Sequence, residues 1–534
     1  MTAQMPNFAD MLDALPSAAL RIIDADGEQN TRTFSQTVAR CADGLNRVDA
    51  QRRGVDPGSV DRGGALRIAS RLDNGAAWLT LDLAIRRIGG VHIPLPTFFT
   101  PQQIDHALRS SGADGVVVAE RATSAANDGG SQIAMPSGLR WQPCEALKTR
   151  LPLGTACITY TSGTTAQAKG VCLDAPSMLR VARSLSDATA SLSLRRHLCL
   201  MPLSTLLENI AGVYAAWLTG ADIAVPSLAE IGYSGAAGLD VTALLRCLHR
   251  YRPDSVIVFP QLLLALVMAA EQGHALPSSL RFVAVGGGRV GTTLLARAAA
   301  VGLPVYEGYG LTECASVVCL NRPGEVRAGS VGRPLPHARV FVAKNETGDD
   351  ELFVDGVRCL DYLNEDDNDN MDNDNTHDDN THLPPGPITT GDLGHIDDDG
   401  FVHISGRRKH MFITAYGRNV SPEWVESEVL QHPLFAQAMV LGEARAQNIA
   451  VLRTRQADAD DRRIRAALAE INRGLPDYAH VADYVRADAP FSLDNGLLTS
   501  NGRLRRDVIA QRYADAIAQR YADISNPMSH EIPA

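Results

Sequence analysis

Tyr160 to Val171 reads YTSGTTAQAKGV, a run of hydroxyls and glycines with one lysine, directly after the strand-like segment 155–159. Short side chains let backbone amides approach a polyphosphate. Thr161, Ser162, Thr164 and Thr165 around Gly163 add short donors, and Lys169 supplies a mobile positive charge. The pattern is not GxxxxGK[ST]. Ala168 stands where that loop needs its second glycine, and Gly170 follows the lysine, so the hydroxyl that holds magnesium in that class is missing. A Ser/Thr/Gly stretch is also the composition of a surface turn, but the length and order of this one favour a phosphate cradle.

The chain of 534 residues has room for three or four domain-sized units at roughly 150 residues each. Apolar residues make up 45% and charged residues 21%, ordinary for a globular protein. The longest apolar run, Leu262 to Ala270, is far short of the roughly 18 residues that a membrane span needs. The N-terminus MTAQMPNFADML lacks the basic start and apolar stretch of a secretory signal, so the cytoplasm is the expected location. Nine scattered cysteines without a CxxC spacing read as reduced thiols, and support neither a zinc site nor a disulfide framework. The net charge of −11 is concentrated: Asn364 to His382 holds eight acidic residues and no lysine or arginine. The rest of the chain is nearly balanced and carries no basic stripe, so no nucleic-acid partner is expected.

From about residue 60 to 340, short β-branched runs alternate with amphipathic helical ones. Ala77 to Ile88 and Gln261 to Gln272 read as helices, and Gly115 to Val118, Val256 to Phe259 and Phe282 to Val285 as strands. This is the pattern of an α/β fold with largely parallel sheets. Ligands bind such sheets where strands end in glycine-rich loops. Three candidate loops occur: 160–170, Gly286–Gly287–Gly288, and EGYGLTE (Glu307 to Glu313) after a strand at Leu303 to Tyr306.

Residues 363–383, around LNEDDNDNMDNDNTHDDNTH, read as a disordered acidic insertion at a loop tip, being self-repelling and unable to bury anything. A calcium loop is the alternative, although an EF-hand's glycine at position six and glutamate at position twelve are absent. Beyond it, ITTGDLGHIDDDGFVHISGRRKHMFIT reads as strand, DDG turn and strand. From Pro422 onward the pattern is compact mixed α/β, ending in a helix in which QRYAD occurs at 511 and again at 519, a spacing that puts both copies on one face.

Five motifs in order carry a family resemblance: YTSGTTAQAKGV, YEGYGLTE (306–313), TGDLG (390–394), GRRKHMFITAYGRNVSPEWVE (406–426) and NGLLTSNGRLRR (495–506). Together they resemble the acyl-adenylate-forming superfamily of acyl-CoA synthetases, peptide-synthetase adenylation domains and luciferases. The last motif looks more like the long-chain fatty acyl-CoA synthetases than the peptide-synthetase domains. The resemblance implies a large N-terminal domain of stacked sheets and helices (1–405) and a small mobile α+β C-terminal domain (406–534). It implies attack of a carboxylate on the α-phosphate of ATP and passage of the acyl group to a thiol, with ATP, Mg2+ and CoA as cofactors.

Every species in the first step is anionic, so alignment and charge neutralisation are the main catalytic tasks. By resemblance, Thr161 to Lys169 cradle the β- and γ-phosphates, and Glu313 holds Mg2+ with Thr312 beside it. Gly286, Gly287, Gly288, Glu307, Gly308 and Tyr309 contact adenine. Asp392 accepts from the ribose hydroxyls, Arg407 lies on the nucleotide, and Lys409 marks the hinge. Taken singly, Glu313 also suits a helix N-terminus, Asp392 a turn cap and Lys409 a solvated surface.

Departures from the pattern are Ala166 and Ala168 in the phosphate loop, Thr205 where relatives often carry a histidine, and Arg503 in place of the C-terminal catalytic lysine. Arginine keeps that charge but spreads it over a planar fork. The acyl pocket is expected among Leu206, Leu207, Ile210, Val213, Phe259, Leu262 and Leu263, which are apolar and equally suited to a plain core. The expected activity is ligation of a medium- or long-chain fatty acid, or another carboxylic acid, to CoA. An acyl-AMP ligase loading a carrier protein and a degenerate non-catalytic acyl or nucleotide binder are the alternatives.

Overall fold

Ser255–Val258 (SVIV) is buried along its whole length and Phe282–Val285 (FVAV) nearly so, as strands covered on both faces must be. They pair in parallel, Ser255 opposite Phe282 and Val258 opposite Val285. Around them, in the computed structural model, forms a nine-stranded sheet. The model describes residues 20–53, 64–120, 133–145, 149–161, 169–234, 238–345, 348–363, 383, 386–456, 458–499 and 502–525. An eight-stranded sheet contains Thr155–Thr161 and Lys169–Asp174, the antiparallel strands on either side of the phosphate-like loop. A four-stranded sheet (Ala338–Lys344, Asp350–Gly356, Ile388–Ile396, Val402–Arg407) leads to the C-terminal unit. The whole is mixed α/β, with a large N-terminal part and a smaller C-terminal one.

The expected helices form at Ala76–Arg87 and at Pro260–Glu271, whose first position is a proline that has no amide to waste there. One expected loop is not a loop. Glu307 to Leu311 continue the strand, which runs Val305–Leu311 and turns back through Thr312–Cys314 into Ser316–Leu320. Glycine permits this close return: a Cβ on Gly310 would lie 1.9 Å from the Ser316 carbonyl oxygen.

The core of the large part encloses a polar cluster. The Asp82 carboxylate meets Arg86 at 3.1 Å and His92 at 2.7 Å, and accepts from the Tyr214 hydroxyl. The Arg86 and Asp82 side chains are only 2% and 1% exposed.

The C-terminal unit has its own core. Its three-stranded sheet (Phe435–Leu441, Asn448–Thr454, Val481–Arg486) packs Phe435, Ala450 and Tyr484 with Val425, Val429 and Ile464 of two helices. The QRYAD copies do not share one helix, because Tyr513 of the first copy separates Arg506–Arg512 from Ala514–Ser525. Both repeat tyrosines, Tyr513 and Tyr521, are buried. Residues 364–382 of the acidic insertion lie outside the described residues. Its expected end residues are anchored: the Leu363 amide donates to the Gly170 carbonyl at 2.8 Å and the Leu383 amide to Asp361 at 2.9 Å.

Candidate active site

Asp392 and Arg407 face each other across the pair Ile388–Ile396 and Val402–Arg407, and this register places arginine on carboxylate. Arg407 Nε lies 2.8 Å from Asp392 Oδ1, and the Tyr309 hydroxyl donates to Asp392 Oδ2 at 2.6 Å. Burial and then the Asp392 charge push the Tyr309 hydroxyl well above its usual range, so it stays a donor. A carboxylate offers about four lone-pair sites, and two are used here. Asp392 is buried while the Arg407 side chain is 43% exposed, so the pair is open on one side only.

Glu313 follows on the short turn after the glycine-rich strand. Its Oε1 accepts from the Tyr362 hydroxyl at 2.9 Å, and Lys169 Nζ lies 5.4 Å from the centre of the Tyr362 ring. Tyr362 thus joins the only lysine of the phosphate-like loop to the acid expected to hold magnesium. Sequence reading passed over it, because it stands just before the acidic run. Its signal is the pairing of Asp361–Tyr362 with Lys169–Asp174. Among the described residues Glu313 Oε2 has no hydrogen-bond partner, which leaves one acid oxygen for a hard cation such as Mg2+.

Glu307 is buried at 8% exposure. Burial pushes its carboxyl up to about 8, against the opposing charge of Arg289 and a bond from the Val290 amide, and among the described residues Oε2 has no partner. Arg289 in turn donates to the Ile404 and Ser405 carbonyls at 3.2 and 2.8 Å.

Arg503 arrives from the C-terminal unit, its amide held by the Thr499 hydroxyl at 3.0 Å, and Nη2 reaches the Gly287 carbonyl at 3.5 Å. Burial and then the neighbouring Arg407 charge lower its pKa, opposed by Asp392, Glu423 and Glu313. The unit is docked by Thr293 Oγ1 on Glu428 (3.2 Å) and Arg297 Nη1 on the Gln431 carbonyl (3.1 Å). Arg506 bonds Glu426 through both guanidinium ends, at 2.8 and 2.5 Å, bracing the segment that carries Arg503.

One cleft of about 2210 Å³ is lined by Lys169, Gly286 to Gly288, Glu307 to Glu313, Asp392, Arg407, Lys409 and Arg503. The side chain of Thr161, at the end of its strand, and all of Ser162, Gly163, Thr164 and Thr165 lie outside the described residues. Thr205 lines the cleft, but its hydroxyl donates to the Pro202 carbonyl at 2.7 Å.

The apolar branch of the cleft differs from expectation. Leu206, Leu207, Phe259 and Leu262 line it, whereas Ile210, Val213 and Leu263 turn into the core. Residues Leu207–Tyr214 form a π-helical turn, and it is the small Ala211, Gly212, Ala215 and Ala216 that open the space. All nine cysteines are free and all but Cys144 are buried; burial pushes Cys41, Cys172 and Cys247 up to about 12, leaving them protonated thiols.

Residues 16–356 match the family profile described as AMP-binding enzyme, and 409–525 match that of the AMP-binding enzyme C-terminal domain. A long-chain-fatty-acid–CoA ligase, FadD15 of Mycobacterium bovis, is 26% identical over 582 residues, covering 90% of this chain and 91% of its own. The anthranilate CoA ligase AuaEII, solved with anthranoyl-AMP, superposes with a TM-score of 0.74 at 19% identity over 96% of this chain and 98% of its own. The o-succinylbenzoate CoA synthetase MenE of Bacillus subtilis, solved with ATP and magnesium, gives a TM-score of 0.70 at 21% identity, covering 94% and 99%.

Proposed function

The chain belongs to the family of AMP-binding enzymes, and from that premise we propose that it activates a medium- or long-chain fatty acid to acyl-AMP and transfers the acyl group to CoA. The coarser reaction, adenylation of an acyl or aryl acid with ATP and Mg2+ followed by ligation to CoA, is that of an AMP-forming acyl-CoA ligase. What this reading adds is the acid.

The observation that carries it is the convergence of three cleft walls. Asp392, with Tyr309 and Arg407, offers a buried acceptor of ribose hydroxyls. Glu313 would hold Mg2+, which supplies charge neutralisation for the polyphosphate, and Tyr362 orients that acid beside Lys169. Arg503, the cation brought by the C-terminal unit, stands over the Gly286–Gly288 loop, where it stabilises negative charge as the carboxylate approaches the α-phosphate. The division of the chain at 405/406 and rotation about Lys409, which turns Arg503 away for thioester formation, belong to the same proposal.

The fatty acid is favoured by the direction of the apolar branch. It is lined at one end by Gly286 and Gly308, just past the last parallel pair, Val285 with Glu307, and at the other by Phe282 and Ser255, which begin their strands. Gly286 lies four residues on from Phe282, about 13 Å of strand, and the branch continues past Thr189, Leu194 and Thr219. That is a trough for a chain, longer than one aromatic ring requires. Mass spectrometry of products from ATP, Mg2+, a panel of aliphatic and aromatic acids, and either CoA or a holo-carrier protein tests the reading. Aliphatic acyl-CoA is expected; aryl-CoA alone, or acyl-carrier protein alone, would contradict it.

A further inference from the structure

Deep in the apolar branch runs a chain of polar groups that adenylation does not use. His197 stands opposite Ser255 in the parallel register of Arg196–Leu198 with Ser255–Val258. Its Nδ1 lies 3.0 Å from Ser255 Oγ and its Nε2 2.8 Å from Glu208 Oε1. Glu208, fully buried on the π-helical turn, accepts the Met201 amide at 2.8 Å on its other oxygen. Gly212 makes room for this arrangement: a Cβ there would sit 2.3 Å from Glu208 Oε1 and 2.7 Å from His197 Nε2. Ligand atoms of His197, Cys199 and Glu208 lie within 4.8 Å of one another. The direct His197–Glu208 bond makes the group a hydrogen-bonded relay. His197, Gly212 and Ser255 all line the cleft.

The direction of the relay follows from its fixed end. A carboxylate only accepts, and a neutral imidazole has one donor and one acceptor nitrogen. With the imidazole neutral, Glu208 takes the Nε2 proton, Nδ1 is left as the acceptor, and the Ser255 hydroxyl donates to it. Ser255, which lines the branch, then keeps a lone pair on Oγ and has no proton to offer. An acceptor in an apolar wall discriminates between acids by whether they can satisfy it.

We propose that Ser255 is a specificity-determining residue that favours acids carrying a hydroxyl or amino donor about 13 Å of strand length below the carboxylate end. The inference rests on the reading of the cleft as the acyl site.

The test is kcat/KM for CoA ligation across a homologous series of ω-hydroxy acids, medium to long chain, each compared with its unsubstituted parent and its ω-methoxy analogue. The wild-type enzyme should prefer the hydroxy acid to the parent by about three- to tenfold at one chain length and not at its neighbours. The methoxy acid, which cannot donate, should be disfavoured. In Ser255→Ala the hydroxy-to-parent ratio at that length should fall to about one, whatever the variant does to the parent alone. A flat ratio across the series in the wild-type enzyme, equal use of methoxy and hydroxy acids, or a peak that survives in Ser255→Ala would overturn the inference while leaving the fatty-acid reading standing. Absence of turnover with every aliphatic acid would overturn both.

Discussion

Two clusters in this molecule are built from the same parts and differ in their access to solvent. Asp82 with Arg86 and Tyr214, and Asp392 with Arg407 and Tyr309, each set a carboxylate between a guanidinium and a phenol. The first is sealed, Arg86 being 2% exposed, whereas the Arg407 side chain is 43% exposed. Sealed, every partner is another protein group and the cluster can only hold the core together. Open, the same carboxylate keeps lone pairs and an approach for a ligand. In the proposed reading, accessibility decides which Asp–Arg–Tyr trio serves stability and which serves binding.

The largest expected effect breaks the sealed cluster. Asp82→Ala leaves the buried Arg86 charge without its carboxylate, although the Tyr214 hydroxyl and the Ala156 carbonyl still accept from it, and should cost about 3–5 kcal/mol of stability, read as a fall in the urea midpoint. The nucleotide affinity of the molecules that remain folded should be preserved. An unchanged midpoint would mean that the Asp82 cluster contributes little to holding the core.

Arg503→Ala should slow acyl-AMP formation by about ten- to a thousandfold, on the order of 1.4 to 4 kcal/mol of transition-state stabilisation. Transfer from preformed acyl-AMP to the thiol should change little. Arg503→Lys should keep or raise the first step, since a compact ammonium can approach both oxygens. Stopped-flow measurement of each half-reaction distinguishes these outcomes. Equal losses in both steps would deny Arg503 a place specific to adenylation.

Glu307 sharpens the comparison, being a buried acid beside the open cluster with one unpartnered oxygen. Its pKa is raised to about 8, so between about pH 4.3, the unfolded value, and pH 8 the folded chain holds a proton that the unfolded chain has lost. Stability from this group is full at the acid end and declines as pH rises through that window. Glu307→Gln should remove that decline, a difference on the order of a few kcal/mol between about pH 5 and about pH 8.5. Urea titrations at the two pH values check it; parallel pH slopes for both proteins would place the Glu307 proton elsewhere.

The smallest effect is expected outside both clusters. Deleting 366–381 should leave melting temperature and adenylation nearly unchanged, since a polyanionic run of this composition has no core to contribute. Calorimetry of the deletion checks it, and a loss of several degrees would be evidence of a packed or metal-bound segment.

The open cluster was legible because short motifs encode it. TGDLG and GRRK announce Asp392 and Arg407, and YEGYGLTE announces Tyr309 and Glu313. The sealed cluster was not: Asp82 and Arg86 are an i, i+4 pair on one helix, but His92 comes from the following strand and Tyr214 from a segment far along the chain, and no local pattern connects these to the pair. Tyr362 escaped for a related reason: only the pairing of Asp361–Tyr362 with Lys169–Asp174 carries it to Glu313. The acyl branch was read by hydrophobicity, which selected Ile210, Val213 and Leu263. Its space comes from the absence of side-chain volume at Ala211 and Gly212 on a π-helical turn and at Ala215 just after it, and i, i+3 periodicity gives no sign of that turn. The parallel strands were clear from their uniform apolarity. The continuation of one of them through Glu307–Leu311 was hidden by glycines that usually mark loops.

The most direct measurement is the affinity of ATP with Mg2+ for Asp392→Ala, by isothermal titration calorimetry, paired with the melting temperature of the same variant. Loss of charge-assisted hydrogen bonds worth roughly 1.5–3 kcal/mol should weaken binding at least tenfold, with a fold that survives because Arg407 remains open to water. An unchanged ATP affinity would contradict the assignment of the open cluster as the nucleotide site.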